Sequence, residues 1–203
     1  PTLNTTGLNG GPILTFDGNN DVMVCADAGA SGVQNVSMFL IVRYNSPANS
    51  EDLIAGIGSY GALRASYRNP DNQGTKQGFG TWGNDILTSS LDCDIGGSFH
   101  IWSFVQNGTS VLIDRDGVTF TDTLVSTPAT ISSARAFMGG IASDNNGFAA
   151  NISIAAWLME YRAVSTNDQK KYQGYLADRF WRQRGASVPL AANHPYYSAA
   201  PTL

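Results

Sequence analysis

Residues 100–120 read HIWSFVQNGTSVLIDRDGVTF, three short apolar runs separated by Asn107-Gly108 and Asp116-Gly117. Asn, Asp and Gly tolerate the positive φ that tight hairpin turns demand, so each dipeptide marks a turn and each run a strand. The stretch predicts a three-strand meander over His100–Gln106, Ser110–Arg115 and Val118–Thr121.

The same grammar runs through the chain. Apolar runs bounded by Gly, Asn, Asp and Ser predict further strands at Ile13–Phe16, Asp21–Cys25, Val36–Tyr44, Asp52–Ile57, Ala62–Arg68, Gly78–Trp82, Ala134–Gly139 and Ile152–Tyr161. MFLIV (Met38–Val42) does not alternate and is expected as a central strand covered on both sides. ALRASYR alternates Leu63, Ala65 and Tyr67 with Arg64, Ser66 and Arg68, which predicts a strand with one buried and one wet face. Only STNDQKKYQGYLADRFW breaks the pattern. Ser165 caps it with Asp168 three residues on, and Tyr172, Tyr175, Leu176, Arg179 and Phe180 follow at helical spacing, so one helix face packs on the strands. After it SVPLAANHPYYSAAPTL carries Pro189 and Pro195, which cannot pair within a central strand. It is expected to run extended across the sheets as a strap packing Tyr196 and Tyr197; a ligand or partner surface built on His194 and the tyrosines is the rival reading.

Composition narrows the class. With 203 residues and 42% hydrophobic content the chain suffices for one core and one domain. Charged residues are 14%, against roughly 25% in an average soluble protein, and glycines number 22. The net charge is −4 and no cluster of Lys or Arg exceeds a pair, which argues against a nucleic-acid partner. The apolar runs fall far short of the ~20 residues of a membrane-spanning helix. Cys25 and Cys93 belong to no metal or redox spacing and read as small buried hydrophobes, with an inter-strand disulfide as the alternative.

Several segments in fixed order, LNGGPILTFDGNNDVMV, NVSMFLIVRY, FVQNGTSVLIDRDG, FMGGIASDNNGFAANISIAAWLMEYRAVST and YLADRFW…VPLAANHPYYSAAP, resemble concanavalin A-like lectin/glucanase domains of the laminin-G-like type. The chain is similar to the bacterial and phage-encoded branch, whose members end in a helix, a YLAxKWG segment and an LPxxHPY tail. The resemblance spans essentially residues 1–203 and implies a single jelly-roll β-sandwich, with a further strand ahead of Pro1. Two positions depart from it: Ala156 stands where the branch carries an acid in its IAE segment, and Arg179-Phe180-Trp181 replaces KWG.

Such folds house glycoside hydrolases, which work with paired carboxylates. The Glu-x-Asp-x-x-Glu spacing of sandwich glucanases is absent here; the two glutamates are Glu51, in an expected loop, and Glu160, on a late strand. Asp92 and Asp94 share one face of an extended segment and read as a solvated loop edge. With only His100 and His194, and no G-x-S-x-G elbow, a nucleophile triad has little to build on. The chain is therefore expected not to be an enzyme. FDGNND (Asp17, Asp21) and SDNNG (Asp144, Asn146) offer calcium-type oxygen ligands, although the same residues are what tight turns require. For a sugar, GFGTWGND places Phe79 and Trp82 beside Asn84 and Asp85, the ligand-binding candidates; the competing reading buries one or both rings. Trp102 and Trp157 are expected in the core.

The expectation is an all-β sandwich with one C-terminal helix and a docked tail, serving as a surface or binding module. The resemblance implies a virion accessory protein, of decoration or fibre type, that contacts other virion or cell-surface proteins, recognises glycans, and is open to oligomerisation. A lectin-like module of a secreted bacterial protein is the alternative.

Overall fold

A computed structural model describes residues 1–46, 52–58, 62–69, 76–81, 84–131, 135–140 and 149–202. In chain order the strands are β1 (Thr2–Asn4), β2 (Ile13–Asp17), β3 (Met23–Cys25), β4 (Val36–Tyr44), β5 (Asp52–Ile57), β6 (Arg64–Asn69), β7 (Lys76–Thr81), β8 (Asn84–Asp92), β9 (His100–Asn107), β10 (Ser110–Arg115), β11 (Val118–Thr123), β12 (Ala136–Met138) and β13 (Asn151–Glu160), followed by helix α1 (Thr166–Phe180). They form two antiparallel sheets, ordered β1-β2-β13-β4-β9-β10-β11 and β3-β12-β5-β6-β7-β8. This is a jelly-roll β-sandwich with one α-helix among the described residues: the strand and helix patterns predict the β-sandwich with its helix, and the jelly roll is what the resemblance implies.

The meander behaves as read, with one shift. Asp116 (φ 54°) and Gly117 (φ 88°) form the second turn, where only such residues take positive φ at both central positions. In the first, Asn107 pairs with Ser110, so the turn centres on Gly108-Thr109 and uses Gly108 at φ 59°. β4 lies between β13 and β9 and is buried along both faces. Met38, Leu40, Val42 and Tyr44 enter the space between the sheets, where Trp102, Phe104 and Phe79 form a stacked run. Phe39 and Ile41 turn outward to meet Ile101, Leu176 and Ala177 beneath α1.

β6 overturns the expectation of a wet face. Its alternation is real, yet both sides are covered at the described side chains: Leu63, Ala65 and Tyr67 cluster on the outer side with Leu53 and Phe137, while Arg64 and Ser66 point into the sandwich; the side chain of Arg68 lies outside the described ones. Arg64 is fully buried because its donors find oxygens, at Gln106 Oε1 (2.7 Å), Leu63 O (3.0 Å) and Ala129 O (2.6 Å). Burial pushes its pKa down to about 10. The cysteines differ as well. Neither is in a disulfide, Cys93 is buried, and Cys25 is exposed on the edge strand β3, where Met23 and Val24 also face solvent.

Ser165 caps α1, its hydroxyl accepting from Asp168 N at 3.1 Å. The tail docks, but as a series of turns rather than an extended strap: His194 N donates to Ala191 O and Tyr197 N to His194 O. Ala191 N donates to Asp116 O (2.7 Å), Leu190 is buried, and Arg182 holds Tyr196 O and Tyr197 O at 3.0 and 3.2 Å. Tyr196 packs where Gly174 has no side chain; an added Cβ would sit 2.6 Å from the Cβ of Tyr196. Tyr197, expected to pack, is instead 44% exposed.

Candidate functional site

Of the sequence-derived sugar patch, Phe79 is not available to a ligand. Phe79 is fully buried and stacks on Phe104 at 5.4 Å between centroids, so its ring belongs to the core. The reason is register: Gly78 and Gly80 flank it on the outer side of β7, and period-two alternation sends Phe79 inward. Asn84 is committed to the backbone of Ser126, donating to its O (2.8 Å) and accepting from its N (3.1 Å). Asp85 is exposed and accepts from the Tyr67 hydroxyl. Trp82 lies outside the described residues, as do Glu51, Asp144 and Asn146.

Asp17 and Asp21 lie in one tight turn. Asp17 Oδ1 accepts Asn19 N (2.9 Å), a bond that holds its carboxyl below the usual range, and Asp21 Oδ2 accepts Asp17 N (3.1 Å). One oxygen of each thus serves the turn. No group of three or more His, Cys, Asp and Glu suited to a metal occurs among the described residues.

Sequence reading missed a groove. Where the start of α1 runs beside the end of β13, Leu158, Arg162, Asp168, Lys171, Tyr172 and Tyr175 line a cavity of about 520 Å³, within the usual range for small-ligand sites. The helix period builds its wall: Gln169, Gln173, Leu176 and Ala177 face the sheet, Tyr172 lies at the margin of that face, and Asp168, Lys171 and Tyr175 turn away from it. Tyr172 is the fixed ring, its centroid 4.5 Å from that of Phe39 with the planes tilted by 32°, its hydroxyl donated to Glu160. That bond, with burial, raises its pKa and keeps the proton on the phenol. Tyr175, 39% exposed, is the free ring. A second cavity of about 310 Å³, lined by Leu3, Ile13, Leu14, Met138, Ile154 and Trp157 among others, is apolar. Trp157 thus sits half-buried at a rim, whereas Trp102 is in the core as expected.

The signal for the groove was in the helix period: Tyr172, Leu176 and Phe180 pack on the sheet as that spacing predicts, whereas Tyr175 and Arg179 are exposed. Glutamines join the apolar residues on the buried side because the sheet presents polar atoms there. Gln169 and Gln173 donate to Ser103 Oγ (2.8 and 3.1 Å), and Gln173 also donates to Asp114 Oδ1 (2.6 Å). Asp114 is further held by Gly117 N and Thr119 Oγ1, yet burial raises its pKa. Gln173 Oε1 accepts from His194 Nε2 (3.1 Å), and His194 Nδ1 accepts from Tyr196 N (3.2 Å). The imidazole is therefore neutral; burial first, then Lys170, pushes its pKa to about 4. His100 is the converse. Burial works to lower its pKa, but Asp116 at Nδ1 and Asp94 at Nε2 (2.9 Å) outweigh it, and the net shift is upward.

No protein-family model and no curated protein matches the chain. Solved structures do, at the level of fold. Domains LG4-5 of the mouse laminin α1 chain superpose with a TM-score of 0.56 at 15% identity over 75% of this chain, which spans 43% of that chain's length. A heptameric SAP-like pentraxin from Limulus polyphemus gives 0.56 at 9% identity, covering 77% of this chain and 78% of that one. Domain 4 of AbnA, a GH43 extracellular arabinanase of Geobacillus stearothermophilus in complex with arabinotriose, gives 0.55 at 15% identity, covering 81% and 76%. The fold is a concanavalin A-like jelly roll.

Proposed function

We propose that this chain is a non-catalytic sugar-binding module whose site is the α1–β13 groove. The observation that carries the reading is the pairing of a fixed ring, Tyr172, with an exposed one, Tyr175, in a concave site rimmed by Arg162, Asp168 and Lys171. Sugar rings stack their C–H faces on aromatic rings while hydroxyls take the polar rim, and Tyr suits a place that is apolar on one side and wet on the other. Support also comes from the arabinanase domain of like fold, which was solved with arabinotriose. The non-catalytic part rests on the commitments of the carboxylates: Glu160 holds Tyr172 and Arg162, Asp92 pairs with Lys76, and Asp94 with His100. A setting on a virion surface, beside other virion proteins, is supported by the YLADRFW…NHPYY tail; a secreted bacterial lectin is the alternative. No described helix is long and apolar enough to cross a membrane.

A glycan-array screen of the wild-type chain and Tyr175→Ala, each with calcium and with EDTA, tests this. Selective binding by the wild type that falls at least tenfold in the variant is expected. Silence of the wild type under both conditions, or hydrolysis of a bound glycan, would overturn it.

A further inference from the structure

The charges of the groove are unequally occupied, although the chain as a whole is acidic at −4. Each carboxylate has a short partner: Asp168 Oδ2 takes the Ser165 hydroxyl at 2.9 Å, and Glu160 takes the Tyr172 hydroxyl. The cations are held only loosely. Arg162 approaches Glu160 through Nε at 3.5 Å with its side chain 58% exposed, and Lys171 stands 3.9 Å from Asp168. The terminal guanidinium nitrogens of Arg162 make no hydrogen bond among the described residues.

This difference decides what the groove favours. A neutral ligand lying on Tyr175 would strip water from Arg162 and Lys171 without returning a counter-charge, and uncompensated desolvation of a cation is costly. A ligand carrying an anion offsets that cost, and the planar guanidinium offers a carboxylate or sulfate two parallel donors while the ammonium supplies a second charge. Resting on the sugar-binding reading above, we infer that the groove selects an anionic saccharide, one whose carboxylate or sulfate is met by Arg162 and Lys171 while a sugar ring lies on Tyr175.

Calorimetric titration of the full chain with three probes of equal length tests this: tetragalacturonate for carboxylate, a sulfated galactotetraose for sulfate, and plain galactotetraose as the neutral control. At least one anionic probe should bind ten times tighter than the neutral one, with affinity falling as salt rises from 20 to 200 mM; whichever anion wins identifies the group read. Arg162→Gln with Lys171→Gln should remove that advantage and the salt dependence. Both side chains are more than a third exposed, so an unchanged melting temperature is expected for the double variant. Equal binding of neutral and anionic probes, or anionic binding untouched in the double variant, overturns the anionic selection and leaves the sugar-binding reading standing. Failure of all three probes together with a silent glycan array overturns both.

Discussion

The outer faces of the two sheets are closed in opposite ways. On the seven-stranded sheet an added layer does it: α1 and the C-terminal turns lie over Phe39, Ile41 and Ile101, and a polar chain from Ser103 and Asp114 through Gln173 to His194 locks them down. On the six-stranded sheet aromatic rings lie flat where side chains are missing, Tyr67 over Gly78 and Phe137 over Gly56. A layered face has a seam, and its seam with β13 is where the groove opens. A face closed by its own flattened rings presents none of those rings to solvent, which is why the candidate site moves from β7 to α1.

Leu176→Ala should cost the layered face most, about 3 kcal/mol, through a cavity between helix and sheet; urea unfolding followed by circular dichroism reads it. Gly56→Ala should break the other face by about 2 kcal/mol, because a Cβ there would stand 2.6 Å from both Arg64 O and the Phe137 ring. If Gly56→Ala were neutral, the flattened rings would not be what closes that face.

Acid should loosen only the layered side. The folded state holds His194 neutral, with its pKa near 4 against an ordinary 6.5, so the unfolded chain takes the proton first as pH falls. Its stability is intact above pH 6.5 and is lost progressively as pH drops to about 4, by roughly 1–2 kcal/mol once solvent screening is discounted. Protonating Nδ1 would also set two donors face to face at Tyr196 N. His100 runs the other way: its raised pKa gives stability that is present below pH 6.5 and lost as pH rises through the folded value. Urea midpoints at pH 7 and 4.5 should therefore show less acid loss in His194→Gln than in the wild type. Last in size, Tyr197→Ala should change stability by less than about 0.5 kcal/mol, since its ring is largely exposed.

Strands were legible wherever apolar runs met turn residues. β4, β5 and β10 lie where Val36–Tyr44, Asp52–Ile57 and Ser110–Arg115 placed them. β8 was not read, because Asn84–Asp92 is rich in Ser, Thr and Asp, and among its described side chains Ile86, Thr88 and Leu91 are the buried ones. β1 escaped for a similar reason: all three of its residues are exposed, and pairing with β2 alone makes it a strand. The site was less legible than the fold. Phe79 looked available because glycines surrounded it, yet those same glycines mark the outer side of β7. Tyr175 looked buried because Leu176 beside it is, and one residue along a helix is a rotation of about 100°. Burial of Gln169 and Gln173 depends on Ser103 and Asp114, partners some 60 residues away that no local pattern announces.

Amide chemical-shift mapping with the tightest-binding oligosaccharide tests the claim that the seam of the layered face is the binding site. The account predicts shifts concentrated at Leu158, Arg162, Lys171, Tyr172 and Tyr175, and their loss in Tyr175→Ala. Shifts concentrated instead around Tyr67, Asn84 and Asp85 on the six-stranded sheet, with Tyr175→Ala binding as the wild type does, would contradict it.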